Sequence, residues 1–327
     1  MAAKGMQFHW RLFSGTISTN LDVILEMSPE TCSIKCWEDS AVGLYLGFDT
    51  VDELNWQYLP SKSGLDATPY NEGWPKQSAA TREALDCRLS VPFGAALDEH
   101  LDIFPAKGEG TPVHMFIHGG YWRAYTAKEF SFVANLLVEQ GIAVVVNTYS
   151  LCPKVTIDEI VRQNRAAIKW LMEHAGDFGG DPANITVSGH SAGGHLAAMA
   201  ALTDWPGDYG VDANALRGIV AISGLYDLRP FRFTELQPHL QLTGEQIQRC
   251  SPLFQITDAM PPTWLVVGAK ETPEFHRQSD AFAEAARAAG NTVERISVDG
   301  ANHLTVMEGF NDPQSRLFRL ICDLAMG

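Results

Sequence analysis

The stretch Ile185-Thr186-Val187-Ser188-Gly189-His190-Ser191-Ala192-Gly193-Gly194 is an apolar run that ends in a Gly-x-Ser-x-Gly pentapeptide and leads into small residues. A strand, a one-residue corner and a helix in this order form a nucleophile elbow, in which flanking glycines let the chain turn sharply and expose the serine oxygen. Ser191 is therefore the candidate nucleophile of an acyl transfer. The pentapeptide alone occurs by chance in about one chain in ten of this length, so further elements must support it.

A second glycine turn lies about 70 residues upstream of the serine. The apolar run from Val113 to Ile117 leads into His118-Gly119-Gly120-Tyr121-Trp122. Hydrolases with a nucleophile elbow place an oxyanion-hole loop at this point, and its backbone N–H groups act together with that of the residue after the nucleophile. The sequence predicts the amides of Gly120, Tyr121 and Ala192 as oxyanion donors.

A serine hydroxyl needs a base, and the chain order should be serine, acid, histidine. His303 follows the last predicted strand, Val293 to Val298, in a loop that precedes a final helix. This position makes His303 the candidate base. His118 is expected to brace the oxyanion loop, and His190 and His195 flank the serine too rigidly to reach its oxygen.

Two carboxylates compete for the position of the acid. Glu271 is the first acid after the predicted strand Thr263–Gly268, where it can meet a histidine on the next loop. Asp227 follows the preceding strand, Ile219 to Ser223, and could either cap the next segment or serve as the acid in a variant topology. The sequence favours Glu271 and leaves Asp227 open.

Several motifs together resemble the kynurenine formamidase (arylformamidase) branch of the α/β-hydrolase esterases, whose hallmark is a His-Gly-Gly-x-Trp loop. The resemblance runs from about residue 54 to the C-terminus. It implies hydrolysis of N-formylkynurenine, N-acyl anthranilates or aryl esters. Two features depart from the family: Glu271 stands where an aspartate is usual, and the first fifty residues have no counterpart. The motifs are His118–Trp122, Gly189–Gly194, Ser223–Leu228 and Glu271–Ser279.

Length and composition agree with one α/β-hydrolase domain. The chain has 327 residues, of which 46% are hydrophobic, and apolar runs alternate with helical patterns. This alternation predicts a mostly parallel sheet of about eight strands with helices on both faces. We expect an N-terminal arm over residues 1–50, a hydrolase domain over 51–327, and a small cap at about 229–262.

The net charge of −15 argues against nucleic-acid and anionic-membrane partners, which require a basic face. The expected ligand is a small molecule, and no cofactor or metal is predicted. Assembly into a homodimer is left as an open possibility. The chain start lacks the pattern of a secretory signal, so a cytoplasmic location is expected. Candidates for an aromatic pocket wall are Tyr121, Trp122, Tyr58 and Phe231.

The sequence thus predicts a serine hydrolase that cleaves an aryl amide through an acyl-enzyme. A carboxylesterase for short or aryl esters is the main alternative. An acyltransferase would use the same triad with another acceptor. A non-catalytic binding protein would lack part of the triad, whereas candidates for all three groups are present here in the expected order.

Overall fold

Eight strands form one sheet in the part of the chain that the structure describes, residues 43–327 of a computed structural model. The strand order is β1-β2-β4-β3-β5-β6-β7-β8. β2 pairs antiparallel with both β1 and β4, and all other neighbours are parallel. The strands are β1 Arg88–Pro92, β2 His100–Phe104, β3 Thr111–Ile117, β4 Ala143–Thr148, β5 Gly180–His190, β6 Leu216–Ile222, β7 Thr263–Gly268 and β8 Val293–Val298.

Helices precede β1, follow β8 and connect most of the strands from β3 onwards. The α-helices are α1 Val51–Tyr58, α2 Thr68–Ala84, α3 Ala134–Glu139, α4 Ile157–His174, α5 Ala192–Ala201, α6 Gln237–Leu240, α7 Gly244–Cys250, α8 Pro273–Ala288 and α9 Arg316–Met326. Short 3-10 helices cover Ala127–Glu129, Ser131–Val133, Ala175–Phe178, Ala213–Ala215, Arg229–Phe233, Pro252–Phe254 and Thr305–Asn311, and a π-helical turn covers Trp205–Tyr209.

The side chains of β4 show how one strand supplies two apolar layers. Successive side chains of a strand point to opposite faces of the sheet. Ala143 and Val145 therefore join the cluster that includes buried residues of α4 and α5, whereas Val144 and Val146 join the cluster that includes α2, α3 and α9. All four are fully buried. Both faces of the sheet are covered, which explains why β4 is an uninterrupted apolar run in the sequence.

Helix α4 illustrates the local signals that set a boundary. The sequence pattern predicts a helix from Val155, but the helix begins at Ile157 because Thr156 is extended, with φ −88° and ψ 165°. Asp158 and Glu159 lie in the first turn, where their negative charges interact favourably with the helix N-terminus. Its apolar face then packs on the sheet next to α5.

The segment between β6 and β7 matches the position of the predicted cap. It consists of the 3-10 turn Arg229–Phe233, α6, α7 and the turn Pro252–Phe254. Helix α7 lies against α4, and Arg249 of α7 forms an ion pair with Asp158 of α4 at 3.0 Å. That the segment between β6 and β7 covers the substrate pocket as a cap stays a prediction.

The predicted N-terminal arm falls mostly outside the described residues. Residues 43–50, which the sequence assigns to the arm, belong to the compact unit Gly43–Gly327. Within this segment, the Tyr45 hydroxyl donates a hydrogen bond to Asp227 Oδ2 at 2.6 Å. The segment after residue 42 is therefore bound into the domain.

Candidate active site

Ser191 lies at the corner between β5, which ends at His190, and α5, which begins at Ala192. Its backbone has φ 57° and ψ −117°, a combination that non-glycine residues rarely adopt. Glycine is required on both sides. A Cβ on Gly189 would lie 2.1 Å from the carbonyl oxygen of Gly193, and one on Gly193 would lie 2.0 Å from that of Ile117. The elbow predicted from the sequence is present in the backbone.

His303 joins Ser191 to Glu271. Its Nε2 is 3.0 Å from Ser191 Oγ, and its Nδ1 is 2.7 Å from Glu271 Oε2. With Nδ1–H donating to the carboxylate, the lone pair of Nε2 is directed at the serine hydroxyl. Glu271 lies three residues after β7 and His303 five after β8, so neighbouring parallel strands bring the two loops together. The three side chains can act as nucleophile, base and acid.

The other predicted acid, Asp227, is held elsewhere. Its carboxylate accepts hydrogen bonds from the Tyr45 hydroxyl and from Arg229, whose Nη2 is 2.7 Å away. Burial by itself would raise the pKa of Asp227, but the hydrogen bonds from Arg229 and Tyr45 outweigh it and the pKa is lowered. Its hydrogen-bond partners in residues 43–327 do not include His303. The structure brings Glu271 to the histidine and assigns Asp227 to an ion pair.

Ser223 is a residue that the sequence reasoning did not single out. Its hydroxyl donates to Glu271 Oε1 at 2.5 Å, and the Gly268 N–H donates to the same oxygen at 2.7 Å. These two donors hold the carboxylate with its other oxygen towards His303. The stretch Ser223–Leu228 was noted only for its resemblance and for Asp227. Nothing in the local pattern indicates that Ser223 reaches across to a loop 48 residues later.

The glycine turn after β3 lies directly against the nucleophile. A Cβ on Gly119 would be 2.8 Å from the His190 carbonyl oxygen and 3.1 Å from Ser191 Cβ. Gly120 and Tyr121 then have positive φ angles of 101° and 51°. Because both residues have positive φ angles, the chain turns sharply at this point.

The amides of the three predicted oxyanion donors are unpaired in the described part of the chain. Within residues 43–327, no acceptor receives a hydrogen bond from the amides of Gly120, Tyr121 or Ala192. Ala192 is the first residue of α5, where an N–H has no partner inside the helix. Unpaired amides beside a serine nucleophile can stabilise a developing oxyanion.

Two of the other histidines near the serine are fixed by backbone contacts. The His118 Nδ1–H donates to the Gly119 carbonyl at 2.8 Å, and the ring stacks on Tyr149 at a centroid distance of 4.2 Å. His190 Nε2–H donates to the His303 carbonyl at 2.7 Å. Burial lowers the pKa of His118 to about 4 and lowers that of His190 as well, so both are neutral at pH 7. These contacts agree with a bracing role.

The predicted aromatic pocket wall requires a correction. Trp122, Tyr58 and Phe231 are fully buried, so they belong to the core and form no exposed pocket surface in this structure. Trp122 donates its indole N–H to His195 Nδ1, and the Tyr58 hydroxyl donates to Glu274 at 2.5 Å. The sequence could not distinguish pocket from core because both need aromatic residues near the site. Tyr121 differs, because it is only partly buried and borders a cavity.

Two cavities flank the site. One has a volume of about 250 Å³ and is bordered by Pro60, Tyr121, Arg123 and the cap residues Glu235, Leu236 and His239. The other, about 30 Å³, lies beside Glu271 and His303. Pro60 borders both, so the turn after α1 separates them. Ser191 itself is only 3% exposed.

Comparison with known proteins places this geometry in a family. The family model described as BD-FAE matches residues 101–286. The chain is 31% identical over 287 residues to the kynurenine formamidase of Danio rerio, covering 83% of this chain and 94% of the relative. The chain belongs to the BD-FAE family and is a homologue of kynurenine formamidases. Esterase LipQ of Mycobacterium tuberculosis is 30% identical, covering 74% of this chain and 61% of the esterase.

Solved structures agree with this family assignment. A Silicibacter protein described as a candidate thioesterase has a TM-score of 0.72 and 28% identity, with 85% of this chain and 98% of that chain covered. An esterase from the archaeon Pyrobaculum calidifontis, at 19% identity and a TM-score of 0.64 over 81% of this chain and 95% of its own, shares the fold. The predicted α/β-hydrolase fold and the prediction of a hydrolase are confirmed. No helix in residues 43–327 is long and apolar enough to span a membrane.

Proposed function

We propose that this homologue of kynurenine formamidases is a serine hydrolase that cleaves an aryl amide of the N-formylkynurenine or N-acyl anthranilate type. The observation that carries the proposal is the hydrogen-bonded series Ser191, His303 and Glu271, which lies next to unpaired amides. The substrate class is supported by the relatives named kynurenine formamidase, of which the Danio rerio protein is matched over 94% of its length.

Acylation begins when the substrate carbonyl oxygen accepts hydrogen bonds from the amides of Gly120, Tyr121 and Ala192. Ser191 Oγ attacks the carbonyl carbon while His303 Nε2 takes the hydroxyl proton. The negative charge that develops on the carbonyl oxygen is stabilised by the three amides, each worth about 3–4 kcal/mol if it behaves like other oxyanion donors. Glu271 stabilises the imidazolium without becoming protonated.

Departure of an aryl amine requires a proton. The imidazolium of His303 carries the proton that came from Ser191 and can deliver it to the aniline nitrogen as the carbon–nitrogen bond breaks. Water then attacks the acyl-enzyme with His303 as base, and the acid leaves as Ser191 recovers its proton. An activated phenyl ester depends much less on protonation of the leaving group by His303, because a phenolate leaves more readily than an anilide.

A carboxylesterase is the second candidate. Esterase LipQ, at 30% identity, is the observation in its favour, and the same three side chains would perform ester hydrolysis. The distinction depends on the leaving group and not on the triad. An acyltransferase would differ only in its acceptor.

The test compares kcat/KM for aryl amides with kcat/KM for esters, because kcat/KM ratios report differential transition-state binding. N-formylkynurenine, N-acetylanthranilate and acetanilide are the amides, phenyl acetate is the ester that shares the acyl and aryl groups of acetanilide, and ethyl butyrate is the aliphatic ester. We expect measurable turnover of the carboxylated aryl amides. If all amides are inert while aliphatic esters react well, the protein is a carboxylesterase. Cleavage of p-nitrophenyl acetate decides nothing, since any working triad performs it.

The remaining predictions about cellular context are part of the same proposal. A small-molecule substrate fits an acidic chain of net charge −15. A mechanism without a cofactor and a cytoplasmic location stay predictions from the sequence. A homodimer stays a prediction from the sequence.

A further inference from the structure

The larger cavity, beside the oxyanion loop, is bordered by an arginine that has no ion-pair partner among the described residues. Arg123 borders it together with one carboxylate, Glu235. Glu235 already binds Lys62, whose Nζ is 3.1 Å from its Oε2. The guanidinium of Arg123 has no hydrogen bond or ion pair with any residue of the segment 43–327. Arg123 is therefore an exposed cation at the border of this cavity, without a carboxylate partner in residues 43–327.

A backbone hydrogen bond holds Arg123 in the same turn as two of the predicted oxyanion donors. The Arg123 N–H donates to the Gly120 carbonyl at 3.0 Å, which closes a tight turn over Tyr121 and Trp122. The two predicted oxyanion donors in this turn are Gly120 and Tyr121.

The charge of Arg123 also acts on the phenol of Tyr121. Burial raises the pKa of this phenol, the negative charge of Glu271 raises the pKa further, and the positive charge of Arg123 lowers it. Tyr121 thus lies within electrostatic range of both Arg123 and Glu271.

We propose that Arg123 binds a carboxylate on the leaving group of the substrate. The inference rests on the proposed function, and it names the feature that the aryl leaving group must carry. A planar guanidinium matches a carboxylate with two parallel N–H···O bonds and stays charged at all accessible pH values. The phenol of Tyr121 borders the same cavity, so an aromatic ring can lie against it while its carboxylate meets Arg123.

The experiment measures carboxylate preference, defined as kcat/KM for a carboxylated substrate divided by kcat/KM for its neutral partner. The amide pair is N-acetylanthranilate and acetanilide, and the ester pair is 2-carboxyphenyl acetate and phenyl acetate. Differences in intrinsic reactivity cancel when the preference of a variant is divided by that of the wild type. The variants are Arg123→Gln and Arg123→Lys.

Arg217→Gln is the matched control. Arg217 is an exposed arginine near the start of β6, at the opposite end of the strand from the catalytic loops, and it has no ion pair within residues 43–327. The control removes the same charge from the protein without touching the cavity. The control distinguishes a local contact between Arg123 and the substrate carboxylate from a change in the electrostatic field of the whole protein.

We expect Arg123→Gln to lower carboxylate preference about tenfold, because an exposed charge-assisted bond is weaker than a buried one. Arg123→Lys should keep part of the preference, since lysine keeps the charge but loses the bidentate geometry. An unchanged preference in Arg123→Gln, or an equal fall in Arg217→Gln, overturns the proposal.

The outcome for Arg123 is separable from the outcome for the proposed function. If wild-type protein hydrolyses no amide, the amide proposal fails, and the ester pair still decides whether Arg123 selects carboxylates. Circular dichroism and thermal melting would check each variant. Should Arg123→Gln fail to fold, Arg123→Lys decides, because a preference equal to that of the wild type in both pairs would contradict bidentate binding.

Discussion

The indole N–H of Trp122 donates a hydrogen bond to Nδ1 of His195 at 3.2 Å. This bond connects the oxyanion loop to α5, the helix that begins directly after the nucleophile. The opposite nitrogen, His195 Nε2, donates to the Cys250 carbonyl at 2.6 Å, so the ring has both of its hydrogen bonds. The tryptophan of the His-Gly-Gly-x-Trp motif therefore positions the loop and does not line the pocket.

Trp122→Phe should reduce kcat while KM changes little. The phenyl ring fills most of the space but leaves the buried Nδ1 of His195 without a partner, at a cost of about 1–3 kcal/mol in unfolding free energy. Trp205→Phe is the matched control, because Trp205 is also buried and its indole donates to the Ala200 carbonyl at 3.2 Å, away from the loop. If both variants lose the same fraction of kcat, the bond from Trp122 has no specific role in the loop.

Ser191→Ala should fold normally and lose activity by a factor of about 10⁴ or more, because the atom that forms the acyl-enzyme is missing. Mass spectrometry of protein treated with an organophosphonate should place one adduct on Ser191. Ser188→Ala should still be labelled, since the Ser188 hydroxyl is buried and bonded to His114 at 2.7 Å. A label on any other serine would refute the assignment.

Glu271→Gln should impair catalysis, whereas Asp227→Asn should mainly impair stability. Replacing the carboxylate that contacts His303 at 2.7 Å should lower kcat by about 10⁴, as in the best-studied triad. Asp227→Asn should leave most activity but lower the unfolding free energy by about 1–3 kcal/mol, because it weakens the bonds to Tyr45 and Arg229. Activity assays and urea denaturation of both variants provide the comparison. A larger kcat loss in Asp227→Asn would contradict the geometry.

The buried histidines should make the fold sensitive to acid. Burial lowers the pKa of His114 to about 3 and those of His118 and His195 to about 4. The unfolded chain, with histidine pKa values near 6.5, binds more protons than the folded chain between pH 6.5 and about 4. Stability should therefore be complete above pH 6.5 and decrease as the pH falls through this range.

The contribution of a single histidine can be isolated. Each buried histidine adds up to about 1.4 kcal/mol of unfolding free energy per pH unit in this range. Urea denaturation at pH 7.5, 6 and 5 would measure the slope. His114→Gln should show a shallower slope than wild type, because glutamine can bond to Thr186 and Ser188 without titrating. Equal slopes would mean that His114 does not contribute.

The cap and the arm show where sequence patterns were less informative. The insertion between β6 and β7 was predicted at residues 229–262 because it lacks a strand pattern, and short helices do occupy it. Tyr45 lies in the stretch predicted as the N-terminal arm, residues 1–50, and it is buried and bonded to Asp227. Nothing local marks a tyrosine whose partner is 182 residues away.

The sequence by itself determined the elbow at Ser191, the glycine turn at Gly120 and the base His303. These depend on local chemistry: glycines allow a close backbone approach, and in a parallel sheet the order of the strands brings their carboxyl-end loops together. Only the tertiary structure decided between Glu271 and Asp227, and showed that Ser223 holds the acid and that Trp122 is buried. Those outcomes depend on contacts between side chains that lie far apart in the sequence. Such contacts are determined by the packing of the whole domain and not by the local sequence pattern.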